Sequence, residues 1–182
     1  MKKKAKSSTA MNNLELNAGI EEQGWINALP EVEKISQEVF GNVIGYVKEH
    51  EEIDFLNLNK PLSVNLALSN DKHVHELNNE FRNMDKPTNV LSFANIDDEN
   101  FEQDISLSDK IELGDIIIAF ETMQREAKEK NITLHDHYCH LFTHGLLHLL
   151  GFDHIEDDEA EYMEDFEIQI LKTMDIANPY QE

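Results

Sequence analysis

The sequence predicts a mixed α/β (α+β) fold: a single domain in which a small mixed β-sheet is flanked by helices. Apolar residues alternate with polar ones in some stretches and recur every three or four residues in others, and the two patterns take turns along the chain. The 182 residues suffice for one core, and hydrophobic residues, 40% of the chain, fall in the globular range. No internal repeat, heptad run or Gly/Ser linker divides the chain, so one domain is expected.

From Leu29 to about Lys48, Val32, Ile35, Val39, Val43, Ile44 and Val47 fall at helical spacing and predict an amphipathic helix. In PLSVNLALSN, Val64, Leu66 and Leu68 alternate with polar partners, as in a half-buried strand closed by Ser69, Asn70 and Asp71. Asn70 or Asp71 has the short acceptor side chain that caps the next helix, DKHVHELNNEFRNM. TNVLSFAN predicts a second strand and LGDIIIAF a third; the acidic stretch between them, IDDENFEQDISLSDK, is expected to be a surface loop. Glu121 to Lys130 predicts a helix. Thr133 to Leu150 predicts a buried one, with Thr133 or Asp136 near its start and Gly151 where a helix C-cap prefers it. A last helix is expected from Asp157 to Met174, with Tyr162, Met163 and Phe166 turned inward beside Ile170 and Leu171.

The N-terminus, MKKKAKSSTAMNNLELNAG, is basic but lacks the apolar run of a secretory signal. No stretch approaches the roughly 18 apolar residues of a membrane span. Residues 1–12 are expected to be a mobile tail. Cys139, the single cysteine, excludes an internal disulfide and a cysteine-based zinc finger, usage that suits a reducing cytoplasm. The formal net charge of −22 repels polyanions and argues against a broad electrostatic grip on nucleic acid. Screening confines each charge to about 10 Å, which leaves room for a local basic patch.

Chemistry concentrates in HGLLHLLGFDH, residues 144–154. On a helix, His144 and His148 lie one above the other, so both imidazoles face one point. Gly151 lets the chain leave the helix sharply, and His154 can return as a third ligand. Three imidazoles with a fourth position open are the composition of a catalytic zinc site at the end of a buried helix, although nickel, copper or iron accept the same set. Of the other histidines, His137 and His140 stand at helical distance from His144 and are read as a polar helix face; His73 and His75 are read as exposed. The position after His144, where HExxH peptidases carry their glutamate base, is Gly145, which moves no protons. A peptidase of that kind is disfavoured.

The same stretch resembles the YbeY family, endoribonucleases of bacterial ribosomal RNA maturation, through its HGxLHLxGYDH pattern, with Phe152 in place of the tyrosine. ELNNEFRNMDKPTNVLSF, residues 76–93, is similar to the family's helix, arginine and PT-D-VLSF strand. LGDIIIAFETMQREAKE, residues 113–129, is similar to its LGDI strand and helix, and ILKTMDIANPY to its ending. The resemblance implies one Zn2+ held by His144, His148 and His154, and makes residues 13–182 a single metal-dependent hydrolase domain. It also implies cleavage of single-stranded RNA in small-subunit ribosomal RNA processing and ribosome quality control. The partners it implies are single-stranded ribosomal RNA, the small ribosomal subunit and assembly factors, in the cytoplasm, with no DNA and no membrane. Arg82 corresponds to the family's arginine important for activity, and its planar fork matches phosphate oxygens. Asn89 and Ala94 depart from the family's aspartate and proline, which puts any charge role at position 89 in question.

Asp153, beside a ligand, reads first as a turn residue and second as a group that orients an imidazole or acts as base. Ser92 reads equally as a cleft residue or a plain strand position. Against the overall charge, RNA is expected along a narrow basic track of Arg82 and Lys86 with Arg125, Lys128 or Lys130. The alternative function is a ribosome-assembly factor whose metal is mainly structural.

Overall fold

A computed structural model describes residues 13–84 and 88–181; the N-terminal tail, residues 1–12, and Lys86 lie outside the described residues. The chain runs β1 (Leu14–Ile20), α1 (Gly24–Ala28), α2 (Val32–His50), β2 (Leu62–Ser69), α3 (Asp71–Arg82) and β3 (Val90–Ala94). It continues as α4 (Phe101–Leu107), β4 (Ile111–Ala119), α5 (Phe120–Glu129), α6 (Leu134–Leu149) and α7 (Asp157–Lys172). The strands form one sheet in the order β1-β2-β4-β3, with β1, β2 and β4 parallel and β3 antiparallel at the edge. This is the mixed sheet that the sequence predicts.

The period-2 pattern explains the layers. Leu66 and Leu68 of β2 stand in register with Ile116 and Ile118 of β4, all of them buried, on the face that meets α6. Phe142, Leu146 and Leu149 of α6 complete this core. Fully burying each such side chain stabilises by about 1.5–3 kcal/mol, so a truncation such as Leu66→Ala costs about 2–5 kcal/mol. A smaller cluster of Val74, Leu91, Ile117 and Ala119 occupies the other face, under α3. α6 thus lies between the sheet and α7, which fixes both the direction and the height of its C-terminal end.

Local signals set the boundaries. Asn70 caps α3 by accepting from the His73 N–H at 2.9 Å, and Thr133 caps α6 by accepting from the Asp136 N–H at 3.1 Å. Two expectations need correction, and one strand stands where none was expected. The segment before residue 29 contains a strand, β1, whose Leu14, Leu16, Ala18 and Ile20 alternate inward, and a helical turn that buries Trp25. The acidic stretch is not all loop: Phe101 packs edge-on to Phe55, 5.3 Å between ring centres, and anchors α4. Tyr162 stays 47% exposed, stacked against Phe152, because α7 turns only Met163, Phe166 and Glu167 fully inward there. Among the described residues no helix is long and apolar enough to cross a membrane.

Candidate metal centre

His144 and His148 sit one turn apart at the end of α6. There the Phe152 N–H donates to the Leu147 carbonyl (3.1 Å) and the Gly151 N–H to that of His148 (3.0 Å). This paired closure needs a left-handed residue, and Gly151 supplies it with φ of 98°. The chain reverses and returns His154. The ring centres of His144, His148 and His154 lie 4.5, 4.9 and 5.5 Å apart, and one nitrogen of each lies within 4.8 Å of the others.

The hydrogen bonds around these rings decide which nitrogens are free. His144 Nδ1 lies 3.1 Å from Glu167 Oε1, and His148 Nδ1 lies 2.9 Å from the Phe152 carbonyl oxygen. Both oxygens only accept once Glu167 is ionised, so each ring donates from Nδ1 and carries its lone pair on Nε2. The two Nε2 atoms face one another at 3.0 Å. Two lone pairs so placed repel unless a proton or cation lies between them. Burial, and then the nearby His144, push His148 down to about 4, so a proton is disfavoured there at neutral pH. A tetrahedral ion about 2.0–2.1 Å from its nitrogen ligands sets them about 3.3 Å apart, close to this spacing. The donor set fits a divalent metal.

Glu167, on α7 and 1% exposed, is a residue that the sequence reading missed. It accepts from His144 Nδ1, from His140 Nε2 at 2.9 Å and from the Tyr180 hydroxyl at 2.9 Å. Burial alone would raise its carboxyl; the hydrogen bonds and charges of His140 and His144 outweigh that and hold it at about 2. A permanently charged acceptor behind a ligand fixes the ring and raises its basicity. The available signal was a glutamate inside the apolar stripe Met163, Phe166, Ile170.

His137 and His140 are not a polar outer face: both are buried, the first against Glu126 (2.7 Å) and the second against Glu167. His73 and His75 are half-buried rather than exposed, and His73 Nδ1 pairs with Glu21 at 2.9 Å.

A cleft of about 600 Å³ opens over the three histidines, between them and the edge strand β3. Arg82 and Ser92 line it, and Arg82 Nη2 donates to the Ser92 carbonyl at 2.7 Å while its guanidinium lies 5.4 Å above the Phe93 ring. Asn89 also lines it, with Nδ2 given to both oxygens of Glu126 (3.2 and 3.1 Å). Burial alone would raise the Glu126 carboxyl, but His137 and Asn89 bring it below its usual value; an aspartate at position 89 would instead oppose one carboxylate with another. Asp153 accepts from the His154 N–H at 2.7 Å, the arrangement of a turn, and stands 3.9 Å from the His154 ring nitrogen.

Gly145 has a packing cause. A Cβ there would lie 3.1 Å from Ser92 Oγ and 3.2 Å from two Ile116 carbons, so the glycine lets α6 approach the sheet. Of the expected basic track, Arg82 alone lines the cleft among the described residues, Lys86 lying outside them: Arg125 and Lys128 do not line it, and Lys130 lines a separate cavity beside His140 and Tyr180. Cys139 is buried with its thiol pushed up to about 12 by that burial, which leaves it inert.

Residues 26–175 match a family described as Endoribonuclease YbeY. A protein of that name from Francisella tularensis subsp. novicida is 50% identical over 122 residues, covering 65% of this chain and 72% of its own length. Its namesake from Francisella philomiragia subsp. philomiragia is 48% identical over 119 residues, covering 65% and 73%. A solution structure from Thermotoga maritima aligns with 92% of this chain and 99% of its own, at 21% identity and a TM-score of 0.47.

Proposed function

The chain belongs to the YbeY family of endoribonucleases, and from that premise we propose that it is a zinc-dependent endoribonuclease that cleaves single-stranded ribosomal RNA. The observation that carries this reading is the pair of Nε2 lone pairs, 3.0 Å apart, turned toward His154 beneath a cleft that also contains Arg82. His144, His148 and His154 hold the metal. When bound, it supplies Lewis-acid chemistry toward phosphate and water.

The remaining work falls to the chain's own groups. Glu167 and the Phe152 carbonyl keep the Nδ1 protons in place, so His144 and His148 present the correct nitrogen without rearrangement. Arg82 is held at one nitrogen by Ser92 and over Phe93, which leaves its other donors for a phosphate in the cleft. There it offsets charge that develops on the phosphoryl oxygens. The substrate is single-stranded RNA of the small ribosomal subunit, met together with assembly factors in the cytoplasm, and residues 13–182 act as one hydrolase domain.

The test is cleavage by metal-stripped protein reloaded with zinc, on single-stranded and duplex RNA. Cleavage restored by zinc, confined to single strands and lost in His148→Ala and Arg82→Ala with folding retained, supports the reading. If unfolding follows metal removal while no preparation cuts RNA, the metal is structural and an assembly-factor role takes its place.

A further inference from the structure

RNA poses a difficulty for this chain. Its net charge is −22, and among the described residues lining the cleft Arg82 is the one Lys or Arg, set against Asp97 and Asp153. One guanidinium gives a weak electrostatic grip, which salt weakens further. A source of affinity that does not depend on charge would add to that grip.

The surface beside Arg82 offers one. Phe81, the preceding residue on the last turn of α3, is 62% exposed, more than Tyr162 or Tyr180. A phenylalanine has no polar tip to satisfy in water, and among the exposed aromatic side chains of the described residues this ring is the most open. The ring packs edge-on against a neighbour: it stands at 72° to the Phe93 ring with centres 5.8 Å apart, and Phe93 in turn lies under the Arg82 guanidinium. Asn83, in the left-handed conformation with φ of 52°, ends the helix, and the Met84 N–H returns to the Asn78 carbonyl at 3.2 Å. Met84, 42% exposed, carries the apolar surface on into the cleft lining.

Resting on the endoribonuclease reading, we infer that Phe81 is a stacking platform for a nucleobase of single-stranded RNA, adjacent to the phosphate that Arg82 engages. A nucleotide presents an anionic phosphate and a flat, weakly hydrated base joined by one sugar; a guanidinium and an open ring on consecutive residues match that pair. Stacking on an aromatic ring is tolerant of sequence and supplies affinity that charge does not. It also selects single strands, because in a duplex both faces of every base are already covered by neighbours. The platform thus accounts for affinity and for strand selection with one side chain.

The experiment compares Phe81→Leu, which keeps apolar bulk, and Phe81→Trp, which keeps an aromatic face, with the parent protein in the zinc-loaded full chain. Binding of a labelled single-stranded RNA is measured by fluorescence anisotropy, and cleavage of the same RNA by its KM and kcat. Phe81→Leu is expected to weaken binding and raise KM on the order of tenfold, at low and high salt alike, with the smaller effect on kcat. Phe81→Trp should bind at least as tightly as the parent. An RNA lacking one base at the stacked position should bind the parent and Phe81→Leu equally.

Equal affinity of the parent and Phe81→Leu for intact RNA overturns the platform, even if the parent cuts RNA. A parent that binds RNA without cutting it, yet loses affinity in Phe81→Leu, overturns the nuclease reading and leaves the platform standing. A parent that does not bind single-stranded RNA overturns the platform.

Discussion

Helix α6 carries two histidine pairs that share residue type, element and near-identical spacing, yet they are wired in opposite directions. In the upstream pair, His137 and His140 turn Nε2 to a carboxylate, and their Nδ1 atoms are buried without a partner among the described residues. In the downstream pair, His144 and His148 give Nδ1 to an acceptor and turn Nε2 toward the cleft. The difference lies in which ring nitrogen a fixed acceptor occupies. An acceptor on Nε2 holds an imidazole as a structural cross-link; an acceptor on Nδ1 leaves a lone pair aimed outward. Glu167 does both at once, through a single oxygen, Oε1.

The strongest way to break this comparison is to delete a downstream ring. His148→Ala removes one of three donors and is expected to abolish stoichiometric zinc binding and reduce RNA cleavage by at least about 100-fold, while the fold survives. Metal analysis of the purified variant, with circular dichroism beside it, checks both halves of that statement.

Glu167→Gln comes next. It keeps shape but removes the charge that both pairs share, and zinc affinity should fall about 10- to 100-fold. It also has a signature in pH. The Glu167 carboxyl is held near 2 in the fold against an ordinary 4.5, so its stabilisation is whole above 4.5 and lost as pH falls toward 2. His148 is held near 4 against an ordinary 6.5, so between those values the unfolded chain takes up a proton that the folded one refuses, and stability falls there too. Thermal unfolding of the metal-free protein should weaken in both windows, and Glu167→Gln should erase the lower one.

His137→Ala probes the upstream pair alone. It leaves a void and removes a buried donor from Glu126, costing about 1–3 kcal/mol in urea unfolding, with zinc stoichiometry unchanged. His135→Ala, on the exposed side of the same helix, should shift stability by less than about 0.5 kcal/mol and serves as the baseline.

Much of this arrangement was legible in the residues. The spacing of His144 and His148, the turn at Gly151 and the return of His154 depend on local backbone geometry, which sequence pattern expresses directly. The alternation in Val64, Leu66 and Leu68 likewise identifies β2. Apart from the Phe152 carbonyl, four residues beyond His148, the wiring depends on partners far away in sequence and was not legible. Glu167 stands 23 residues beyond His144 and Glu126 stands 11 before His137. Whether a histidine on an apolar helix is a cross-link or a ligand is settled by such a partner. β1 escaped notice although LELNAGI alternates at every position, because it follows directly on a basic, polar stretch expected to be a tail. α4 escaped because Phe101 and Ile105, its inner residues, are surrounded by acids. Gly145 was read only as a missing base; the tight approach of Ser92 and Ile116, which a Cβ would meet at 3.1 and 3.2 Å, adds a packing cause that depends on partners outside the helix.

The most direct test of the central claim is the protonation pattern of the ring nitrogens, read by long-range proton–nitrogen NMR on histidine-labelled protein before and after zinc. The wiring predicts Nδ1–H rings at His144 and His148, with their Nε2 resonances moving on zinc addition, and Nε2–H rings at His137 and His140 that stay where they are. Zinc-dependent shifts at His137 or His140, or an Nε2–H ring at His148 in the metal-free protein, would contradict it.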